Sequence, residues 1–391
     1  MNEVDNPHSS DDGIMRDIMD GEFFRNHPIF SKNNKALQLL GYYDDLELAN
    51  PLGSKAKIHK IGVFYYMLGN IRPLYRSSTR TIQLLSIAKT SDLKLYGINA
   101  LLAPTVEEVN KLTKEQGYSF IIDGVERKFQ GDLLLWSGDT LASQQIAGFK
   151  EGVGGALRFC RSCLATREES NEQFRSENFQ PRTLNTHIQI CHMLDDPENS
   201  SHVKDRISTT YGVNGKSVLV NAGNFDVCQC FPQDIMHVLF EGVIPYEMKL
   251  LLKVIVDEKK FISLKELNHR IESFDYGYMN AKNKPSQIVR ETVNSSDSKL
   301  KQSASQMWCL FRFFPIIVGD LIDKNLKEWH CFLQLWNIVQ VCTSPAIKEE
   351  DVPYLKVLIE EHHRSFKEIY PNTSIIPKMH YLIHIPDDMS R

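Results

Sequence analysis

The stretch ALQLLGYYDDLEL, Ala36 to Leu48, is rich in residues that favour extended backbone and closes on the paired aspartates Asp44 and Asp45. HKIGVFYYMLGN, His59 to Asn70, reads as a second strand, and NPLGSKAKI between them marks a turn through its Asn, Pro, Gly and Ser. TIQLLSIAKT, Thr81 to Thr90, makes a third strand, so a meander is expected. Asp92 to Gln116 then carries leucine, valine and alanine at helical spacing, with Pro104-Thr105 opening its second half in the manner of a helix start, so a helix or a pair of helices is expected. YSFIIDGVERKF and GDLLLWSGDT follow as two further strand candidates, the second closing on Asp139 and Thr140.

The order strand, strand, strand, helix, strand, with carboxylates near the ends of the first and last strong strands, is that of an α/β ribonuclease-H-like core. In that mixed sheet, acidic residues of adjacent central strands converge on divalent metal. Outward from it, residues 1–20 read as a disordered acidic arm, 21–155 as the first part of the core, and 156–232 as a Cys/His-containing insertion of zinc type. Residues 233–391, with apolar-periodic stretches such as IMHVLFEGVIPYEMKLLLKVIV, read as a mostly α-helical second half that completes the core. Tyr276 to Ser305 is a Lys/Asn/Ser-rich connector.

The 391 residues, 42% hydrophobic and 24% charged, are the balance of a chain that buries a sizeable core. A formal net charge of −4 provides no global basic signature, so nucleic acid would have to be gripped by a local patch. No run reaches the roughly eighteen apolar residues of a membrane span, and the start has no signal-peptide core, so an intracellular protein without a membrane partner is expected. Eight cysteines in so long a chain then suggest free thiols or metal ligands instead of a disulfide framework.

Magnesium and manganese take hard oxygen ligands, and phosphoryl transfer on a metal pair places carboxylates on neighbouring strands. Asp44, Asp45 and Asp139 supply that pattern, although aspartate is also common wherever a strand gives way to a turn. Cys160 and Cys163, a Cys-x2-Cys pair, precede His187 and His192 and offer thiolates and imidazoles in the proportions of a tetrahedral zinc site, with Cys191 able to replace either histidine. Cys228 and Cys230 read as buried free thiols. Asp234, His237 and Glu241 fall on one helix face opposite Ile235, Val238 and Leu239. The group IEEHHRSF, containing Glu360 to His363, reads as a solvated helix face. Arg72, Arg76 and Arg80, interleaved with Tyr75 and hydroxyl residues beside KAKIHK, could grip phosphates or simply be solvated.

Five blocks, YYDDLELANPLGSK, HKIGVFYYMLGNIRPLYRS, GDTLASQQIAGFKEGVGGALRFCRSC, PQDIMHVLFEGVIPYEMKLLL and PKMHYLIHIP, together resemble, in order, the transposases of CACTA-type (En/Spm-like) DNA transposons and the proteins derived from them. The resemblance runs from about Gly21 to the end. It implies a DDE transposase that cuts DNA ends with water and joins them to target DNA using two Mg2+ or Mn2+ ions. Asp44 and Asp139 would be the first two acidic residues, with Asp45 the less favoured of its pair, Cys160 and Cys163 with His187 a structural Zn2+ element, and Asp234 and His237 a supporting block. The family pattern has a third acidic residue beyond PKMHYLIHIP, where this chain stops, so a truncated, weakly active protein is expected unless Glu241, Glu360 or Glu361 substitutes. The alternative is a non-catalytic transposon-derived scaffold for DNA or protein. Transposon ends and target DNA are the partners implied, with a homo-oligomer and a nuclear location following from that function.

Overall fold

Leu37–Glu47 forms an 11-residue strand, β1, in the computed structural model, which describes residues 2–47, 60–295, 297 and 300–391. The expected turn at residues 50–58 lies outside the described residues. β1 pairs antiparallel with β2 (Lys60–Leu68), and β2 pairs antiparallel with β3 (Gln83–Lys89), which is the meander. The chain then runs through α1 (Thr90–Tyr96) and α2 (Ile98–Leu112) and through a hairpin of β4 (Tyr118–Ile122) and β5 (Val125–Phe129) before β6 (Gly131–Ser137). β6 lies parallel to β1 on its other edge, so the sheet is mixed, in the order β3-β2-β1-β6.

Two local expectations change in detail. The helix or pair of helices expected over Asp92–Gln116 is a pair, but it breaks at Gly97, whose φ of 82° belongs to the left-handed side, and Pro104 sits inside α2 instead of opening a helix. YSFIIDGVERKF folds back on itself because Asp123 and Gly124 both take positive φ, 50° and 76°, the geometry of a tight two-residue hairpin turn.

One face of the sheet packs Tyr43, Phe64, Leu133 and Trp136 under α2, through Leu102, Val106 and Val109; the other packs Leu40 and Leu134 against Met19, Phe24, Ile29 and Phe30. β6 carries one extra residue, because Leu39 pairs with Leu133 but Leu40 with Leu135. Trp136 is 1% exposed and lies flat over Gly41, where an added Cβ would come within 2.5 Å of its ring.

The chain divides into two units, Met1–Arg167 with Phe179–Pro232 and Asp387–Arg391, and Glu168–Asn178 with Gln233–Pro386. The residues read as an insertion, 156–232, therefore fold mostly with the first unit, which also holds α3 (Thr140–Ala147) and α4 (Leu184–Asp195). Residues 2–20, expected as a disordered arm, are folded within that unit. Asp20 is buried and accepts from the amides of Ser10, Arg16 and Asp17, so the polar composition serves local capping and not solvation. The second unit is helical, with α5 (Ile244–Leu252), α6 (Ala304–Val318), α7 (Lys327–Cys342), α8 (Asp351–Ile369) and α9 (Pro377–Leu382), and a wide π-helical segment, Met236–Val243, leads into α5. No helix among the described residues is long and apolar enough to cross a membrane.

At the start of β6 the carboxylate of Asp132 is fully buried, accepting from the Asn224 side chain at 2.8 Å and from the Leu133 amide at 2.8 Å, with His27 Nε2 at 3.6 Å. Burial raises Asp132 to about 6 against the pull of these donors and lowers His27 to about 4, so in between each group tends to its neutral form. The 3.6 Å contact is therefore a weak polar one, not an ion pair.

Two outcomes are expected. Gly41→Ala drives a methyl into the Trp136 ring and should cost about 1–3 kcal/mol, read as a lowered melting temperature by circular dichroism. A folded pKa above the unfolded value means that Asp132 favours folding below about pH 4 and that this is lost as pH rises to about 6, a change of about 3 kcal/mol at most. The depressed His27 works in the opposite sense, losing stability as pH falls from about 6.5 towards 4. Asp132→Asn should remove the first component alone, so urea titrations should show stability rising more steeply with pH from 4 to 6 than in the parent protein; unchanged slopes would refute the assignment.

Candidate functional site at the strand ends

Asp44 and Asp45 sit at the far end of β1, where alternation sends them to opposite faces of the sheet. Asp45 is held on the α2 side, accepting from the Tyr43 hydroxyl at 2.7 Å and from the Thr90 hydroxyl at 3.3 Å. Asp44 is exposed. Asp139 follows β6 and caps α3, its Oδ1 accepting from the Ala142 amide at 2.6 Å. Tyr42 pairs with Ser137 in the parallel ladder, and carrying that register forward by two residues sets Asp44 alongside Asp139. The Tyr43 phenol is pushed up first by burial, then by its hydrogen bond to Asp45 and the charge of that carboxylate, with smaller contributions from Asp139 and Asp44.

The third carboxylate, Glu241, belongs to the second unit, in the π-helical segment, where its backbone carbonyl accepts from Lys378 Nζ at 2.9 Å. Glu360 is paired with Arg175 and Arg364, and Glu361 is exposed. Asp234 accepts from the amides of Met236 and His237 and from His237 Nδ1 at 2.9 Å. Burial works against the Asp234 carboxylate, but the His237 ring outweighs it and its pKa lies below the ordinary value. This pair caps the π-helical segment.

Of the three arginines, Arg76 is committed: it binds Asp17 and the carbonyls of Gly69 and Ile71, clamping the amino-terminal segment to the end of β2. Arg72 is exposed, 3.7 Å from Glu3, and Arg80 is exposed as well. Lys55 and Lys57 lie outside the described residues.

Cys160 and Cys163 are brought together and buried, in a turn where the Ser162 amide points at Cys160 Sγ at 3.3 Å. Burial and the neighbouring Cys160 push the Cys163 thiol up, against the pull of the Ala165 amide and the Arg182 charge. The turn is held by Arg182, which donates to the carbonyls of Cys160, Arg158 and Tyr211 and lies over the Phe149 ring. His187 and His192 lie on α4 five residues apart, about 140° around the helix, so they do not share a face. His187 is buried against Phe149 and held neutral, pushed to about 4 by burial and Arg182, whereas His192 is exposed. Cys228 and Cys230 are buried free thiols.

Among the described residues, buried cysteine and histidine side chains gather in groups able to hold a metal ion such as zinc. Within the second unit such a group is Glu247, Cys331 and His362. His362 and His363, expected on a solvated helix face, are both fully buried, because the apolar stripe of α8 (Val352, Leu355, Ile359, Phe366) carries them inward. No sequence signal flagged Glu247 or Cys331, which are far apart in the chain and belong to no short motif. His380 and His384, four residues apart, are buried with their rings 5.2 Å apart.

No family model matches this chain, and no curated protein matches it.

Proposed function

We propose that the chain is a transposase-like protein of the CACTA type that cuts DNA and joins the ends to a target, with Asp44 and Asp139 as ligands of Mg2+ or Mn2+. The observation that carries this reading is the parallel pairing of β1 with β6, which sets these two carboxylates at neighbouring strand ends. The sheet order, a three-strand meander followed by a parallel strand across a helical crossover, supports a ribonuclease-H-like core. The ions would supply the Lewis acidity that turns water, and then a 3′ hydroxyl, into nucleophiles at a phosphodiester. Asp44 presents an exposed carboxylate for this purpose, and Asp139 retains Oδ2 once Oδ1 has capped α3. Asp45 keeps the end of β1 in place, and Arg72 and Arg80 are the arginines left for DNA phosphates in the nucleus.

A non-catalytic DNA- or protein-binding scaffold is the second reading, favoured by the structural work that Asp139 already does as a helix cap. Zinc on Cys160 and Cys163 fits either reading, since the buried pair and the amide aimed at Cys160 Sγ suit a thiolate turn. His187 and His192 do not fit together as its two imidazoles, because they face apart on α4.

Nicking of a supercoiled plasmid in Mn2+ separates the two functional readings. The parent chain should nick, and Asp44→Ala and Asp139→Asn, the latter keeping the cap while losing the charge, should each reduce the rate by about 100-fold or more. A folded parent chain that leaves the plasmid intact would refute the catalytic reading. In metal analysis, Cys160→Ser should lower the zinc content by about one equivalent and His192→Ala by none.

A further inference from the structure

In the second unit, α5, α7 and α8 bring Glu247, Cys331 and His362 to one point, each at most 5% exposed, with ligand atoms all within 4.8 Å of one another. His362 Nε2 is 2.9 Å from Glu247 Oε2, His362 Nδ1 is 3.1 Å from His363 Nδ1, and His363 Nε2 is 2.9 Å from the carbonyl oxygen of Met379. Every one of these contacts needs a hydrogen or a cation between its two atoms. A carbonyl only accepts, so His363 Nε2 carries hydrogen, and a neutral imidazole carries one hydrogen only. Two neutral rings therefore supply two hydrogens for three contacts, and an ionised carboxylate supplies none.

One positive charge is missing from the chain of contacts, and it is either a proton or a metal ion. The surroundings favour the metal. Glu247 Oε1 is buried with no hydrogen-bond partner, and the Cys331 thiol faces the same point. A proton between His362 and Glu247 leaves both of these unused, at the cost of a buried unsatisfied carboxylate oxygen. A cation uses both, and carboxylate, thiolate and imidazole together form a donor set for zinc.

We infer that Glu247, Cys331 and His362 Nε2 form a zinc site. His363 is its positioning residue: with its Nε2–H on the Met379 carbonyl, its Nδ1 accepts from His362 Nδ1–H and turns the lone pair of His362 Nε2 towards the ion. Three protein ligands leave a fourth position for water or a substrate atom. Cys331 also lines a cavity of about 690 Å3 with Glu328, His330 and Gln334, which offers an ion a way in. This site is independent of the reading of Asp44 and Asp139, and its failure would leave that reading untouched.

The test is cadmium NMR of the full chain, stripped of metal and reloaded with Cd2+, because a site with one sulfur ligand resonates well apart from a site with two. A one-sulfur resonance is expected in the parent protein, lost in Cys331→Ser and retained in Cys160→Ser. His363→Ala should shift this resonance without abolishing it and should weaken zinc binding by about 10- to 100-fold. A parent spectrum without a one-sulfur signal would overturn the inference by itself, whatever the variants do, and so would a signal that survives Cys331→Ser.

Discussion

The parallel contact between Leu37–Tyr42 and Gly131–Ser137 is the constraint on which the first unit depends. Two parallel strands cannot be joined by a tight turn, so the chain between them must leave the sheet, cross one face and return. α1 and α2 make that crossing, and their apolar stripe is what covers Tyr43, Phe64 and Trp136. The fit is close enough that Gly41 has no room for a side chain under the Trp136 ring. Burial of that aromatic layer and the placing of the strand ends are thus two results of the same pairing: the core lies under the middle of β1, and the carboxylates stand beyond it at the strand ends.

How much of this was legible depended on the length of the signal. β1, β2, β3 and β6 are runs of β-formers bounded by turn residues, and each stands close to its expected position. The Asp-Gly turn inside YSFIIDGVERKF was present in the sequence, but two short amphipathic arms around it looked like one longer strand. The amino-terminal segment was misread because composition cannot distinguish aspartates that solvate a chain from aspartates that cap it; Asp17 and Asp20 do the second. At the strand ends, the residue types and their positions were readable, and the preference for Asp44 over Asp45 came from the family resemblance, whereas a physical reason for it needs the register.

The buried polar groups were the least legible, and for a common reason. Arg182 holds the Cys160 turn through three carbonyls, which are present at every position of any sequence and so leave no mark of their own. His362 was hidden by its neighbours: Glu360, Glu361, His363 and Arg364 look like a solvated face until the apolar period of α8 is followed through them. Its partners Glu247 and Cys331 come from other helices, and a three-helix convergence has no spacing that a linear reading can detect.

The extra residue in β6 has a consequence beyond local twist. Pairing resumes with Leu40 opposite Leu135, one position later than an unbroken ladder would have it. In an uninterrupted frame Asp139 would stand beside Asp45, the aspartate already bonded to Tyr43 and Thr90, and Asp44 would stand beside Gly138. The exclusion of one β6 residue, Leu134, from the pairing thus acts as a selector: it decides which of two adjacent and chemically identical side chains meets the carboxylate across the sheet. Drawing Leu134 into the ladder would exchange the pair without altering either aspartate, whereas removing it would leave Asp44 beside Asp139.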